Sequence, residues 1–171
     1  MTLGVGGLGA YALLAEPALR RERPRLRDVA GGLGSAAALY GIFLLGDRMA
    51  RQIMPAGERE IGSIYGLRSA APRPAIAAAL ALVIGPSEEL FWRGLVQRGL
   101  HRRYGRLRGW LLASSIYGAV HLVSENLTLT GAATTAGLFW GALYARDERL
   151  TPLVVSHITW DLWIFLVAPT G

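Results

Sequence analysis

The apolar residues of this chain fall into six runs that are separated by short polar segments. An α-helix needs about 20 predominantly apolar residues to cross a bilayer, and several of these runs approach that length. The pattern therefore predicts an all-α fold, a multi-pass transmembrane bundle of about six spans that forms a single integral membrane domain over residues 1–171. The runs cover about residues 3–19, 29–46, 75–100, 110–123, 127–145 and 153–168.

Two features within this pattern predict local structure. In the polar connection of residues 47–73, Ile61, Ile64 and Tyr65 have helical spacing. That connection is therefore either a short interfacial helix or a loop. In the third run, Pro86 removes an intrahelical hydrogen bond, so it either bends the helix or starts a new helical section.

Composition supports the membrane interpretation. Hydrophobic residues make up 52% of the chain, charged residues only 18%, and there is no cysteine for a thiolate nucleophile or a disulfide. The mean hydropathy is +0.34. These values favour an integral protein of the cell membrane over a soluble globule.

The net charge of +6 comes from arginines that sit in short clusters between the apolar runs. This placement is typical of membrane topology rather than of a DNA-binding face, so no nucleic-acid partner is expected. The clusters at residues 20–27, 98–108 and 146–149 fall on one side of a six-span arrangement. The positive-inside rule places that side in the cytosol and both termini outside.

The third run carries three charged residues that a lipid-facing helix would not keep. Charges near the middle of a bilayer helix cost at least a few kcal/mol, and they usually mark function. Glu89 and Arg93 are four residues apart and can form an ion pair on one helix face. Glu88 is rotated about 100° away and is left free to point elsewhere.

Further ionisable residues lie in two other runs. His121 is in the fourth run, while His157 and Asp161 are four residues apart in the sixth. A desolvated carboxylate beside a histidine can activate water, and a second histidine with a partner can stabilise an oxyanion. Alternatively, Glu88, His121 and His157 could bind a metal with an open position for water. The chain has no His-Glu-x-x-His sequence, the stronger signal for a zinc peptidase.

Three segments resemble the motifs of one family. Residues 88–93 match the Glu-Glu-x-x-x-Arg motif of the CAAX protease and bacteriocin-processing (CPBP, or Abi) family of intramembrane endopeptidases. Residues 114–121 resemble its Phe-x-x-x-His motif, and residues 157–161 its His-x-x-x-Asn/Asp motif. The motifs occur in order on separate apolar runs, in a motif-bearing core of about residues 75–165.

The resemblance implies a helical membrane fold whose motifs meet in a polar cavity inside the bilayer. It implies that Glu88 and His121 activate water for peptide-bond hydrolysis, and that His157 and Asp161 stabilise the oxyanion. Glu89 and Arg93 would be a supporting pair. The expected substrate is a peptide or protein, either lipidated or membrane-bound. A divalent metal such as zinc and a metal-free mechanism both stay open, and the lack of a fourth conventional ligand favours the metal-free one.

Two positions depart from the family pattern. Tyr117 stands where the family usually has phenylalanine, which adds a hydroxyl within reach of the site. Asp161 replaces the commoner asparagine, so the partner of His157 carries a charge when it is ionised. Tyr117 is therefore a further supporting candidate.

The same residues also allow a different class of function. A non-catalytic multi-pass protein could use the polar cluster for ion or proton passage, or as a scaffold in export, immunity or sensing. His101 lies in an arginine cluster and is expected to be a solvated surface residue. Glu125 is expected to be exposed at the end of the fourth run, and Trp140 to serve packing or interface anchoring.

Overall fold

A computed structural model describes residues 2–54 and 56–170 and shows an all-helical protein. The described residues are 89% helical, and no strand occurs among them. The 3₁₀ turns lie at Pro17–Arg21, Leu67–Ser69 and His121–Ser124. The helices are α1 (Thr2–Ala15), α2 (Leu26–Ile53), α3 (Gly57–Gly66), α4 (Arg73–Tyr104), α5 (Arg106–Val120), α6 (Leu127–Asp147) and α7 (Thr151–Val167).

The long helices coincide with the apolar runs, although the first one is shorter than predicted. It ends at Ala15 rather than near residue 19, because a residue that precedes a proline is driven out of the α region. Glu16, which precedes Pro17, has φ −130° and ψ 81°. Only α2 and α4, of 28 and 32 residues, are long and apolar enough by themselves to cross a membrane among the described helices. The number of spans stays a prediction.

Helix α4 changes its winding around the charged motif. A five-residue α segment, Gly85–Glu89, lies between two π-helical segments, Leu80–Ile84 and Leu90–Gln97. Pro86 lies in the first turn of that α segment, so it starts a new helical section, one of the two predicted outcomes. π-helical segments are rare overall but over-represented at functional sites. Here they set the directions in which the side chains of Glu88 and Glu89 leave the helix axis.

Small residues allow the helices to approach one another closely, as is common in membrane bundles. A Cβ atom on Gly9 of α1 would come within 2.6 Å of the Ser87 side chain on α4. A Cβ atom on Gly32 of α2 would come equally close, at 2.6 Å, to Val155 on α7. Helix α1 therefore packs directly against the motif segment of α4, and the start of α2 packs directly against α7.

The polar connection after α2 contains helix α3, so the helical alternative for that segment is confirmed. Glu60 of α3 accepts hydrogen bonds from the backbone N–H and the hydroxyl of Thr128, at 2.8 and 2.7 Å. These bonds lower the pKa of the Glu60 carboxyl below its ordinary value. Asn126 caps α6 by accepting from the N–H of Leu129 at 2.7 Å, and donates to the Glu60 carbonyl at 3.1 Å. Helix α3 is thereby attached to the start of α6.

The interior and the outer surface differ from those of a soluble domain. Trp140, Tyr144 and Leu153 are about 1% exposed and form the centre of the core. Many large apolar side chains remain outside, including Leu82 at 76% and Val123 at 88% exposed. Exposed apolar surface on this scale suits contact with lipid.

Candidate active site

The first half of the candidate site is built around Glu89, whose side chain is fully buried. Its Oε1 accepts a hydrogen bond from Arg93 Nη1 at 2.9 Å, which is the ion pair expected from the four-residue spacing. The same oxygen accepts from His157 Nδ1 at 2.7 Å, across to α7. The other oxygen, Oε2, has no hydrogen-bond partner among the described residues. Glu89 therefore links the first and third motifs.

His157 is fixed by an aromatic neighbour that was expected only to pack or to anchor. The Trp140 ring stacks on the His157 ring, with a centroid distance of 4.0 Å and an interplanar angle of 22°. Trp140 Nε1 donates to Ser156 Oγ at 3.0 Å, which fixes the plane of the indole. The Arg93 guanidinium lies 5.5 Å from the centroid of Trp140, within cation–π range.

The contacts of His157 define its hydrogen-bonding direction. A carboxylate that is paired with arginine can only accept, so His157 Nδ1 carries a proton and donates it to Glu89. The second nitrogen, Nε2, lies 3.6 Å from Asp161 Oδ2. The spacing of these two residues predicted this side-by-side arrangement. Asp161 Oδ2 is thus the carboxylate oxygen that faces the open side of the His157 ring.

The second half of the site is built around Glu88, which is only partly buried. Tyr117 donates its hydroxyl proton to Glu88 Oε2 at 2.7 Å. The sequence predicted that a tyrosine here, in place of phenylalanine, would bring a hydroxyl within reach of the site, and the hydroxyl does reach Glu88. Glu88 takes part in no ion pair among residues 2–54 and 56–170. Its Oε1 atom is therefore available to a further donor such as water.

His121 lies at the point where α5 passes into a 3₁₀ turn. Its Nδ1 is 2.7 Å from the backbone carbonyl of Tyr117, and a carbonyl can only accept. Nδ1 therefore carries the proton, and the lone pair of the neutral ring is on Nε2. The ring centroids of Tyr117 and His121 are 5.0 Å apart. Tyr117 thus contacts Glu88 through its hydroxyl and His121 through its carbonyl.

The two halves meet at Arg93 and at the peptide bond between the two glutamates. Arg93 lies 4.8 Å from the ring centroid of Tyr117 while it pairs with Glu89. In the part of the chain that the structure describes, no hydrogen bond or ion pair joins Glu88 or His121 directly to His157 or Asp161.

The predicted metal-ligand set does not assemble in this arrangement. No group of three or more His, Asp or Glu side chains within the described ranges is placed to hold a metal ion. Nδ1 of His157 donates to Glu89 and Nδ1 of His121 to a backbone carbonyl, which leaves Nε2 as the free nitrogen of each ring. As they stand, Glu88, His121 and His157 do not form a three-ligand site.

The expectation for His101, on the same helix as the two glutamates, was wrong. His101 is not a solvated surface residue but is 8% exposed. Its Nε2 lies 3.1 Å from Gln97 Nε2, and its Nδ1 lies 3.3 Å from Glu148 Oε1. The ring lies against Tyr144, with a centroid distance of 5.8 Å. Burial of the ring is thus compensated by polar partners on both nitrogens.

A regular spacing could have revealed this burial. Glu89, Arg93, Gln97 and His101 follow one another at intervals of four, and all four are buried. They form a polar stripe along one face of α4, where Gln97 also donates to the Gly141 carbonyl at 2.8 Å. Trp140, by contrast, gave no sequence signal for its contact with His157, because nothing in its own run marks it.

The three motifs lie within the segment that comparison with known proteins identifies. A family model described as type II CAAX prenyl endopeptidase Rce1-like matches residues 70–163, which is more than half of the chain. No curated protein matches the chain, and neither does any solved structure. The matched segment runs from just before α4 into α7, and it includes every residue of both halves of the site.

Proposed function

The chain belongs to the type II CAAX prenyl endopeptidase Rce1-like family, and on this premise we propose how it acts as a membrane endopeptidase. It hydrolyses peptide bonds with a water that Glu88 and His121 activate. His157 and Asp161 stabilise the oxyanion. Glu89, Arg93 and Tyr117 hold these groups in place. The observation that carries this assignment is the different environment of the two adjacent glutamates.

Glu88 suits the role of general base because it is the accessible carboxylate of the two. Its Oε2 is oriented by the Tyr117 hydroxyl, and its Oε1 is left for water. Glu89 is fully buried, and its Oε1 already accepts from Arg93 and His157, so it is neither exposed to water nor unpaired. The proton of the attacking water therefore passes to Glu88.

His121 contributes the second contact to the same water. With its proton on Nδ1, held by the Tyr117 carbonyl, the ring offers the lone pair of Nε2 as an acceptor. Water bound between Glu88 and Nε2 has one proton directed at each. Its oxygen attacks the carbonyl carbon, the carbon–nitrogen bond breaks, and Glu88 returns the proton to the departing amine.

The oxyanion is assigned to the half of the site that contains Arg93 and His157. Glu89 fixes the His157 ring at Nδ1, and Asp161 Oδ2 lies 3.6 Å from Nε2, beyond hydrogen-bond distance, so a proton on Nε2 is free to be donated to the oxyanion. Donors that are already oriented where negative charge develops need no reorganisation during the reaction. The Trp140 ring excludes water from one face of the imidazole.

The proposal includes a multi-pass topology. Helices α1, α2 and α4–α7 cross the bilayer, and α3 lies at the outer surface. The arginine-rich start of α2, end of α4, start of α5 and end of α6 lie in the cytosol. The apolar exposed surface and the length of α2 and α4 support this placement. The substrate is a membrane-bound or lipidated peptide, since the site lies on helices that border lipid.

The deciding experiment uses the full chain in proteoliposomes with quenched fluorescent peptides. One peptide carries a prenylated C-terminal Cys-aliphatic-aliphatic-X sequence, and a second carries the same sequence without the lipid. We expect cleavage by the native protein, a fall of at least about 100-fold for Glu88→Gln, and a comparable fall for His121→Ala.

The matched control is Glu125→Gln, since Glu125 is an exposed glutamate four residues after His121. It should cleave like the native protein. Cleavage that persists in both Glu88→Gln and His121→Ala would refute the proposal, provided both variants remain monodisperse after extraction. Because the residues do not form a ligand set, activity should also survive a strong divalent-metal chelator. Loss of activity that added zinc restores would contradict this expectation.

A further inference from the structure

A second polar region lies away from the candidate active site. A groove of about 600 Å³ opens where the start of α2 meets the end of α6 and the start of α7. None of the motif residues borders it. We call it the arginine groove. Its charged lining residues are Arg25, Arg27, Asp28, Arg146, Asp147 and Arg149.

The charges in the arginine groove are not balanced. Arg149 Nε donates to Asp28 Oδ1 at 3.0 Å, and Arg146 Nη2 donates to Asp147 Oδ2 at 2.8 Å. Each aspartate is therefore matched by one arginine. Arg25 and Arg27 are exposed and form no ion pair within residues 2–54 and 56–170. Two guanidinium groups at the mouth of the groove are thus left for an external anion.

The rest of the lining of the arginine groove is mostly apolar. It consists of Gly31, Ser35, Leu143, Pro152 and Leu153. On the same stretch of α2, Leu26 and Leu33 are 87% and 50% exposed, as expected for side chains that face lipid. The groove is therefore basic at one end and continues into an apolar helix surface at the other. An amphipathic anion matches both parts, whereas a free inorganic anion matches only the first.

We propose that the arginine groove binds the phosphate headgroup of an anionic phospholipid, with the acyl chains along α2. Guanidinium groups bind phosphate oxygens through paired, charge-assisted hydrogen bonds. The helix ends that form the groove belong to the arginine-rich side, which faces the anionic cytoplasmic leaflet under the proposed topology. Basic pockets between transmembrane helices on that side are typical headgroup sites.

Binding can be measured on the full chain in mild detergent by native mass spectrometry. Phosphatidylglycerol, phosphatidylcholine and inorganic phosphate are added in separate titrations. We expect saturable binding of phosphatidylglycerol and little of the other two. The double variant Arg25→Gln/Arg27→Gln should bind phosphatidylglycerol roughly 10- to 30-fold more weakly, because each arginine near an anionic surface supplies about a fivefold factor.

The matched control is Arg103→Gln/Arg108→Gln, which removes the same charge from exposed arginines of the same side. It should keep the native affinity. Equal weakening in both double variants would overturn the proposal, because it would indicate non-specific attraction. Phosphate that competes as well as the lipid would also overturn it, in favour of a soluble anion.

A second pair of variants tests the shape of the groove without changing charge. A Cβ atom on Gly31 meets nothing within 4 Å, and the same is true of Gly41 deeper in α2. Gly31→Trp should fill the groove and weaken phosphatidylglycerol binding about 10-fold, whereas Gly41→Trp should not. Unchanged binding in Gly31→Trp would refute the assignment. Lipid binding is read directly, so the outcome does not depend on peptidase activity.

Discussion

Two adjacent glutamates on one helix have opposite environments in this protein. Glu89 is fully buried and accepts from Arg93 and His157, while Glu88 is partly exposed and accepts from the neutral hydroxyl of Tyr117. A rotation of about 100° along the helix separates them. Two carboxylates of one motif can therefore have different roles. Glu89 joins helices through its buried contacts, whereas Glu88 stays accessible to react.

The division follows from which helix each glutamate faces. Glu88 faces α5, where one tyrosine supplies both its donor and the carbonyl that orients His121. Glu89 faces α7, where His157 donates to it, and the indole of Trp140 on α6 packs against both His157 and Arg93. A substitution at Glu88 should therefore change turnover, and one at Glu89 should chiefly change stability.

The largest effect is expected for Glu89→Gln, measured as the free energy of unfolding in mixed micelles. Removing the carboxylate leaves Arg93 buried without its partner, which should destabilise the fold by about 3–5 kcal/mol. The double variant Glu89→Gln/Arg93→Met should recover part of the loss, since no unpaired charge remains. A Glu89→Gln protein as stable as the native one would contradict the structural role assigned to Glu89.

Glu88→Gln should have the converse result. Turnover should fall by at least about 100-fold because the general base is gone, while the free energy of unfolding changes by less than about 1 kcal/mol. Peptide cleavage and micelle unfolding, measured on the same preparation, check this. Destabilisation as large as that of Glu89→Gln would mean that the two carboxylates are equivalent.

Tyr117→Phe restores the residue that the family usually has and removes the hydroxyl that orients Glu88. We expect turnover to fall about 10-fold with KM nearly unchanged, because one hydrogen bond to a charged group is lost. Tyr11→Phe, at an exposed tyrosine of α1, is the control and should be silent. An equal fall in turnover for both variants would indicate an artefact of the assay, and the proposed role of the Tyr117 hydroxyl in orienting Glu88 would be unsupported.

Trp140→Phe should affect stability more than turnover. Phenylalanine keeps a ring against His157 but cannot donate to Ser156, whose buried hydroxyl then lacks a partner. The free energy of unfolding should fall by roughly 1 kcal/mol. Turnover that drops as far as in Glu88→Gln would contradict a mainly structural role for Trp140.

The smallest effect concerns a carboxylate outside the membrane. Glu60 has its pKa lowered by the bonds from Thr128, so its stabilisation of α3 is present above its ordinary value of 4.5 and is lost as pH falls through the lowered pKa. Hydrogen exchange of α3 should therefore quicken below about pH 4.5, and Glu60→Gln should remove this dependence. Glu58→Gln, an exposed neighbour, should keep it.

The sequence by itself determined the helices and the contacts within each helix. Apolar runs bounded by arginine clusters located the long helices, and a spacing of four located the Glu89–Arg93 pair and the His157–Asp161 approach. These features depend only on the fixed geometry of a helix. For the same reason the sequence shows that the polar residues from Glu89 to His101, at intervals of four, share one face of α4. It did not predict that this face is buried.

Only the tertiary structure decided which residues meet between helices. The bond from His157 to Glu89, the bond from Tyr117 to Glu88 and the stacking of Trp140 on His157 depend on how each helix is rotated about its axis. In α4 that rotation is set by two π segments, whose wider turns no spacing rule anticipates. Intrahelical neighbours are fixed by covalent geometry, whereas interhelical neighbours are fixed by packing of the whole bundle.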